Sequence, residues 1–284
     1  MRRERNLLRE KDVLEEKVEE RTAEVVSKSL ELEEKNRDIT ASIRYAERIQ
    51  AAMLPPENYF NNTFVLFMPK DIVSGDFYWM YDSGLKQFIA TVDCTGHGVP
   101  GAFMSIIGHN SLNKIVKENG VKRPSEILDR LNTEVVHALL QRSQKAVRDG
   151  MDISLISYDT LEHYVEYAGA YQPLYHVRDG KVTIYRADRF PIGMIDGQAK
   201  KVFTNRRIEV MKGDMLYIFT DGYADQFGGD EDKKFKTINI RRLLSEVYSY
   251  PEDEQKRLLE KAIRDWMGDL PQIDDILFVG TRIP

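Results

Sequence analysis

Apolar residues recur every seven positions through the start of the chain: Val18, Val25, Leu32, Ile39, Ala46 and Met53. That spacing is one seam of a coiled coil. The second seam is poor. Four residues on lie Thr22, Ser29, Asn36 and Ile43; three on lie Lys28, Lys35 and Ser42. No Gly precedes Gly75 and no Pro precedes Pro55, so nothing in residues 1–54 breaks a helix. Such a rod, roughly 80 Å long at about 1.5 Å per residue, has no core of its own and needs a partner. One sound seam and one polar seam predict a marginal, switchable parallel homodimer through residues 1–54. The plainer alternatives are a solvated helix packing on its own domain, or the end of a longer chain.

After Pro55-Pro56 the pattern becomes that of a globular domain, residues 55–284. Strand-like runs are Phe64–Met68, Phe77–Tyr81, Gln87–Asp93, Met151–Tyr158, Tyr164–Ala168, Leu174–Val177, Val182–Tyr185, Asp214–Thr220 and Ile276–Thr281. Asp82-Ser-Gly84 and Asp179-Gly180 fall between strand pairs and predict hairpin turns. Helical patterns cover Pro100–Glu118, Pro124–Gln141, Ile238–Tyr248 and Glu252–Met267. Strict strand–helix alternation is missing, which favours α+β over a doubly wound sheet. Several strands are apolar on both faces, so both faces are covered. Two sheets packed together with helices outside satisfy this.

Composition narrows the function. The 284 residues are 42% hydrophobic, enough for a sizeable core, and carry a net charge of −5. Half of the first fifty are charged. The acidic balance argues against a nucleic-acid or anionic-membrane coat. The single cysteine, Cys94, excludes a disulfide framework and fits a reducing compartment. The longest apolar run, Phe64–Met68, is far short of a membrane span, and the charged start leads into no secretory signal. The expected location is cytoplasmic, either free or as the cytoplasmic end of a larger membrane-bound sensor.

Chemistry gathers where apolar strands stop. Asp76, Asp93, Asp221 and the pair Asp274-Asp275 all lie at strand edges. A lone Asp there is ordinary turn chemistry. Four such places predict a cluster, and clustered carboxylates raise one another's pKa unless a cation neutralises them. An all-oxygen ligand set suits Mg²⁺ or Mn²⁺ rather than Zn²⁺. Gly75, Gly96, Gly98 and Gly222 adjoin these aspartates and allow close backbone approach to an ion or phosphate.

Gly75-Asp-Phe-Tyr78, Val92-Asp-Cys-Thr-Gly-His-Gly-Val-Pro-Gly-Ala102, Ala168-Gly-Ala170, Pro191-Ile-Gly193, Gly213-Asp-Met-Leu-Tyr-Ile-Phe-Thr-Asp-Gly222 and Asp274-Asp-Ile276 occur in that order. Together they resemble the bacterial PP2C-like (PPM) serine/threonine phosphatases of the SpoIIE/RsbU group, over about residues 55–284. Glu16–Thr22 and Ile39–Pro55 resemble the signalling helix that joins such domains to sensors.

The resemblance implies an αββα sandwich with a two-metal centre holding two Mn²⁺ or Mg²⁺ ions. Asp93 would bridge both ions; Asp76, Asp221 and Asp274 would be further ligands, with Asp275 the weaker choice, and the Cys94 backbone carbonyl another. Asp93 and Asp221 would carry catalysis, with water rather than a side chain as nucleophile. His97 lies four residues after Asp93, where that group's eukaryotic branch has its acid two residues after; a role in loop structure is expected. His109, His137, His163 and His176 are expected to be structural, and Phe227–Phe235 to be a mobile loop.

The implied substrate is a phosphoserine or phosphothreonine on a small regulatory partner, such as an anti-sigma-factor antagonist, with an upstream sensor domain as input. The competing possibilities are a catalytically inactive phosphoprotein-binding module and a two-metal nucleic-acid phosphoesterase. Retention of Asp76, Asp93, Asp221 and Asp274 argues against the first. Absence of a basic stripe argues against the second.

Overall fold

The structure is a computed structural model that describes residues 2–140, 149–193 and 202–284. By its contacts the chain divides into two units, Met1–Ala46 and Glu47–Pro284.

Helix α1 (Arg2–Met53) is unbroken, as the missing Gly and Pro require. In the first unit Lys11–Glu15, Glu24–Lys28 and Glu31–Lys35 pair one turn apart on the solvated surface. The apolar ladder stays bare: Val18, Val25, Leu32 and Ile39 are between 57% and 65% exposed. Among the described residues, no helix is long and apolar enough to cross a membrane.

The second unit is built on β1 (Thr63–Met68), β2 (Phe77–Asp82), β3 (Lys86–Cys94), β4 (Met151–Asp159), β5 (Tyr164–Ala170), β6 (Leu174–Arg178), β7 (Lys181–Tyr185), β8 (Arg206–Glu209), β9 (Met215–Phe219) and β12 (Ile276–Arg282). They form two antiparallel five-stranded sheets, ordered β1-β12-β9-β6-β7 and β2-β3-β4-β5-β8. Strand alternation divides the core into three layers. Tyr78, Met80, Ile89, Ile156, Leu216, Ile218, Leu277 and Val279 meet between the sheets. Phe77, Trp79, Ala90, Val92, Ile153 and Leu155 face outward, beneath α2 (Gly98–Leu112) and α3 (Pro124–Leu140). Phe64, Leu66, Tyr217 and Phe278 face the other way, beneath α5 (Lys236–Val247) and α6 (Glu252–Met267). This is the expected αββα sandwich.

The hairpin turns stand as expected. Asp179 and Gly180 both take positive φ, 50° and 75°, the geometry of a two-residue hairpin. Asp82 Oδ1 accepts the Gly84 amide at 2.7 Å.

Four features differ from the sequence pattern. β8 reads as charged because only Ile208 of Arg206–Glu209 is buried; an edge strand needs no more. α2 continues as a π-helix over Asn113–Glu118, and a four-residue helix, α4 (Gly222–Asp225), follows β9. The expected loop at 227–235 instead closes as the hairpin β10 (Phe227–Gly228) and β11 (Lys233–Lys234). It is pinned to α6 by Gly229 N–H donating to Trp266 O at 2.8 Å and by Phe235 packing edge-on to the Trp266 ring. Gln141, at the end of the third expected helix, lies outside the described residues.

Candidate metal centre

Strand parity puts three carboxylates in one row. Tyr78, Ile89 and Ile156 fix the inner face of β2, β3 and β4. Stepping by two along each strand reaches Asp76, Asp93 (through Thr91) and Asp152 (through Ser154) on that face. Asp93 pairs directly with Asp152, and one step beyond the Phe77–Val92 pair places Asp76 opposite Asp93. The facing sheet ends at the same place. β12 begins just after Asp274-Asp275, and β9 stops two residues before Asp221, the N-cap of α4.

The loops that set this row are tied by polar bonds. Thr95 N–H donates to Gly150 O at 3.0 Å, and Gly150 N–H donates to Thr95 Oγ1 at 3.0 Å, locking the end of β3 to the start of β4. A Cβ on Gly75 would lie 2.6 Å from Gly96 O and 3.2 Å from Cys94 O, so only glycine lets Asp76 approach the Asp93 segment. A Cβ on Gly222 would lie 2.0 Å from Asp275 O, which brings Asp221 against the Asp274-Asp275 turn.

Asp274 and Asp275 have different tasks. Asp275 is buried, and both its oxygens are used: Oδ1 accepts Lys70 N–H at 2.7 Å and Oδ2 accepts Gly75 N–H at 2.9 Å. It holds backbone. Asp274 is exposed, and its charge bears on Asp76, Asp93 and Asp221. The charge of Asp275 bears on Asp76 and Asp93 as well; that of Asp274 bears also on Asp221.

The electrostatics are those of buried carboxylates set close to one another. Burial, then Asp93, pushes Asp76 well above the usual carboxylate range, against the Thr220 hydroxyl. Burial, then Asp221 and Asp152, does the same to Asp93. Burial and Asp274 raise Asp221, and burial and Asp221 raise Asp152 to about 7. The buried Cys94 thiol is pushed up by desolvation and by Asp93, so it stays protonated; only its backbone carbonyl suits a cation.

Asp152 is the group that the sequence pattern missed. It lines a cleft of about 390 Å³ with Asp93, Asp221, Tyr171, Gln172 and Thr220. The run Met151–Tyr158 was legible as a strand, but its pairing with the Asp93 strand was not. His97 lies outside the row: it is exposed and its Nδ1 meets Asp71 Oδ2 at 2.7 Å, tying two loops. His176 is buried on Asp214 at 2.8 Å, and His163 meets the Tyr158 hydroxyl at 2.8 Å.

These residues fit a divalent cation. Asp76 Oδ2 is buried without any hydrogen-bond partner, an arrangement that costs free energy unless something else binds it. The neighbouring donors are all oxygen, the preference of Mg²⁺ and Mn²⁺. Among the described residues, no three acidic, His or Cys side chains converge into a ready-made cage.

Comparison with known proteins bears on the same segment. The family model for stage II sporulation protein E (SpoIIE) matches residues 84–284. The SiaA-PP2C domain of Pseudomonas aeruginosa superposes with a TM-score of 0.80 at 29% identity, covering 88% of this chain and 98% of that one. The PP2C phosphatase domain of SpoIIE from Bacillus subtilis, solved with a fragment of its regulatory domain, superposes at 0.63 with 21% identity, covering 78% of this chain and 63% of that one. The RsbU and RsbW domains of Rv1364c from Mycobacterium tuberculosis superpose at 0.60 with 18% identity, covering 78% and 60%. No curated protein sequence matches the chain.

Proposed function

This chain belongs to the SpoIIE family, and we propose from that membership and from its carboxylate row that it is a metal-dependent protein serine/threonine phosphatase. The observation that carries the proposal is the row of Asp76, Asp93 and Asp152 at one sheet edge, with Asp221 and Asp274 near enough for their charges to reach it, and a buried Asp76 oxygen without a partner.

Asp93, Asp76, Asp221, Asp274 and the Cys94 carbonyl would hold two Mn²⁺ or Mg²⁺ ions. Bound there, such ions supply Lewis-acid charge that neutralises a phosphate and makes water acidic enough to be the nucleophile near neutral pH. The protein's share is geometric. The inter-sheet core fixes the row, Asp275 holds the Gly75 backbone beneath it, and the cleft leaves one side open to a phosphorylated side chain. The substrate class is a phosphoserine or phosphothreonine on a regulatory protein such as an anti-sigma-factor antagonist. The acidic wall at Asp152 and Asp225 disfavours an extended polyanion, which counts against nucleic acid.

Residues 1–54 act as a homodimeric coiled coil that relays signals from an upstream sensor to a cytoplasmic phosphatase domain. Support comes from the bare apolar ladder, which needs a partner.

The test is release of phosphate from a phosphoserine peptide with Mn²⁺, with and without chelator. Chelator-sensitive release that Asp93→Asn abolishes supports the proposal. Phosphopeptide binding without turnover would mark an inactive binding module, and turnover confined to nucleic-acid esters would mark the other class.

A further inference from the structure

Ser74, Gly75 and Asp76 carry three successive amides, each bound by a side chain. Ser74 N–H donates to Gln50 Oε1 at 3.0 Å, Gly75 N–H to Asp275 Oδ2 at 2.9 Å, and Asp76 N–H to Ser74 Oγ at 3.0 Å. Gln50 also returns a bond: its Nε2 donates to Ser74 O at 2.6 Å and to Ser105 Oγ of α2 at 2.9 Å. It is 7% exposed and is the one buried residue among the described side chains of α1. All these groups belong to the Glu47–Pro284 unit.

A glutamine amide carries the donor and acceptor of a peptide group. Here it pairs with the N–H and C=O of Ser74 as a neighbouring strand would. No other hydrogen bond to that peptide is described, so an apolar residue at 50 would leave both groups buried and unpaired. A glutamate would keep the acceptor, lose both donors and add charge near carboxylates that already repel. Ser74 itself is fully buried, and its hydroxyl hands the constraint on to the Asp76 amide.

We propose that Gln50 is a positioning residue for the metal centre. It fixes the Ser74 peptide and, through Ser74 Oγ, the Asp76 backbone, so that Asp76 Oδ2 stays turned to the ion rather than to a protein partner. The inference rests on Asp76 being a metal ligand.

The experiment uses the full chain and two readouts besides activity: Mn²⁺ affinity by calorimetry, and amide exchange across 74–76 in metal-free protein. Gln50→Leu is expected to weaken Mn²⁺ binding at least about tenfold, the usual loss when a group orienting a ligand is removed, and to speed exchange at 74–76. Turnover recovers toward the unsubstituted rate at saturating Mn²⁺. Ser74→Ala weakens binding similarly, and the double variant falls short of the sum, because both act in one line. If Gln50→Leu fails to fold, Gln50→Glu and Ser74→Ala decide by the same readouts. Unchanged Mn²⁺ affinity in the folded variants, with unsubstituted protein binding normally, overturns the role of Gln50 alone. Failure of the unsubstituted protein to bind Mn²⁺ overturns the metal centre itself, and this inference with it.

Discussion

Asp93 and Asp152 stand directly opposite one another across the β3–β4 ladder, so both side chains lie on the same inner face of the sheet. Like charges placed so are destabilising, and two more carboxylates, Asp76 and Asp221, adjoin them. The fold carries this repulsion at one edge of the sandwich.

Stability of the metal-free protein is therefore expected to fall as pH rises toward neutrality. Asp152 is raised from 3.8 to about 7, and Asp76 and Asp93 also hold protons to higher pH when folded. Between those two values the folded state binds more protons than the unfolded chain, so the slope of stability against pH is negative. With chelator present, Tm should drop between about pH 4 and 7, and Asp152→Asn should flatten the drop. Mn²⁺, which requires ionised carboxylates, should raise Tm more at the higher pH. A Tm that climbs across this window in chelator would contradict the charge cluster.

Asp93→Asn and Asp221→Asn should each reduce turnover on a phosphoserine protein by at least about 100-fold, as losing a group at the reacting centre does. Far-UV circular dichroism should be unchanged, since neither side chain supports the core layers. Full activity in both variants would remove the metal assignment.

His97→Ala should lose far less than Asp93→Asn, no more than about tenfold where general acid catalysis would contribute 100-fold or more. The motive is its exposed ring, which is bound to Asp71 rather than to the carboxylate row. A loss as deep as that of Asp93→Asn, with Mn²⁺ affinity intact, would make His97 the acid.

Insertions of one to seven residues near Asn36 test regulation through the rod. Each residue turns the helix by about 100° relative to the domain. If coiled-coil geometry sets the arrangement of the aspartates, activity should vary cyclically and recover near seven. Gln50, in the last part of α1, gives such a signal a contact with the Asp76 loop. A flat series in protein that sediments as a dimer would reduce the rod to a tether.

Local chemistry determined a good deal by itself. The unbroken helix follows from the absence of Gly and Pro before residue 55, and the turn at Asp179-Gly180 from its residue types. Asp76, Asp93, Asp221 and the Asp274-Asp275 pair could be found because apolar runs stop beside them and glycines mark close approach. The edge strand Arg206–Glu209 escaped, because only Ile208 among its residues carries an apolar signal, and residues Asn113–Glu118 read as helix without their π-helical hydrogen bonding being legible.

Pairing decided the rest. Asp152 joins the site only because β4 lies beside β3 in a register that sets it against Asp93. The division of labour between Asp274 and Asp275 depends on which carboxylate meets the Lys70 and Gly75 amides from the β1–β2 loop, some 200 residues away in sequence. Gln50 reads as one more polar residue on a charged helix until Ser74 and Ser105 are brought to it. Sequence fixes which residues can bond and which strands are apolar, since those are properties of a side chain and its near neighbours. Which distant groups meet depends on strand register and sheet packing, and these are set by the whole core at once.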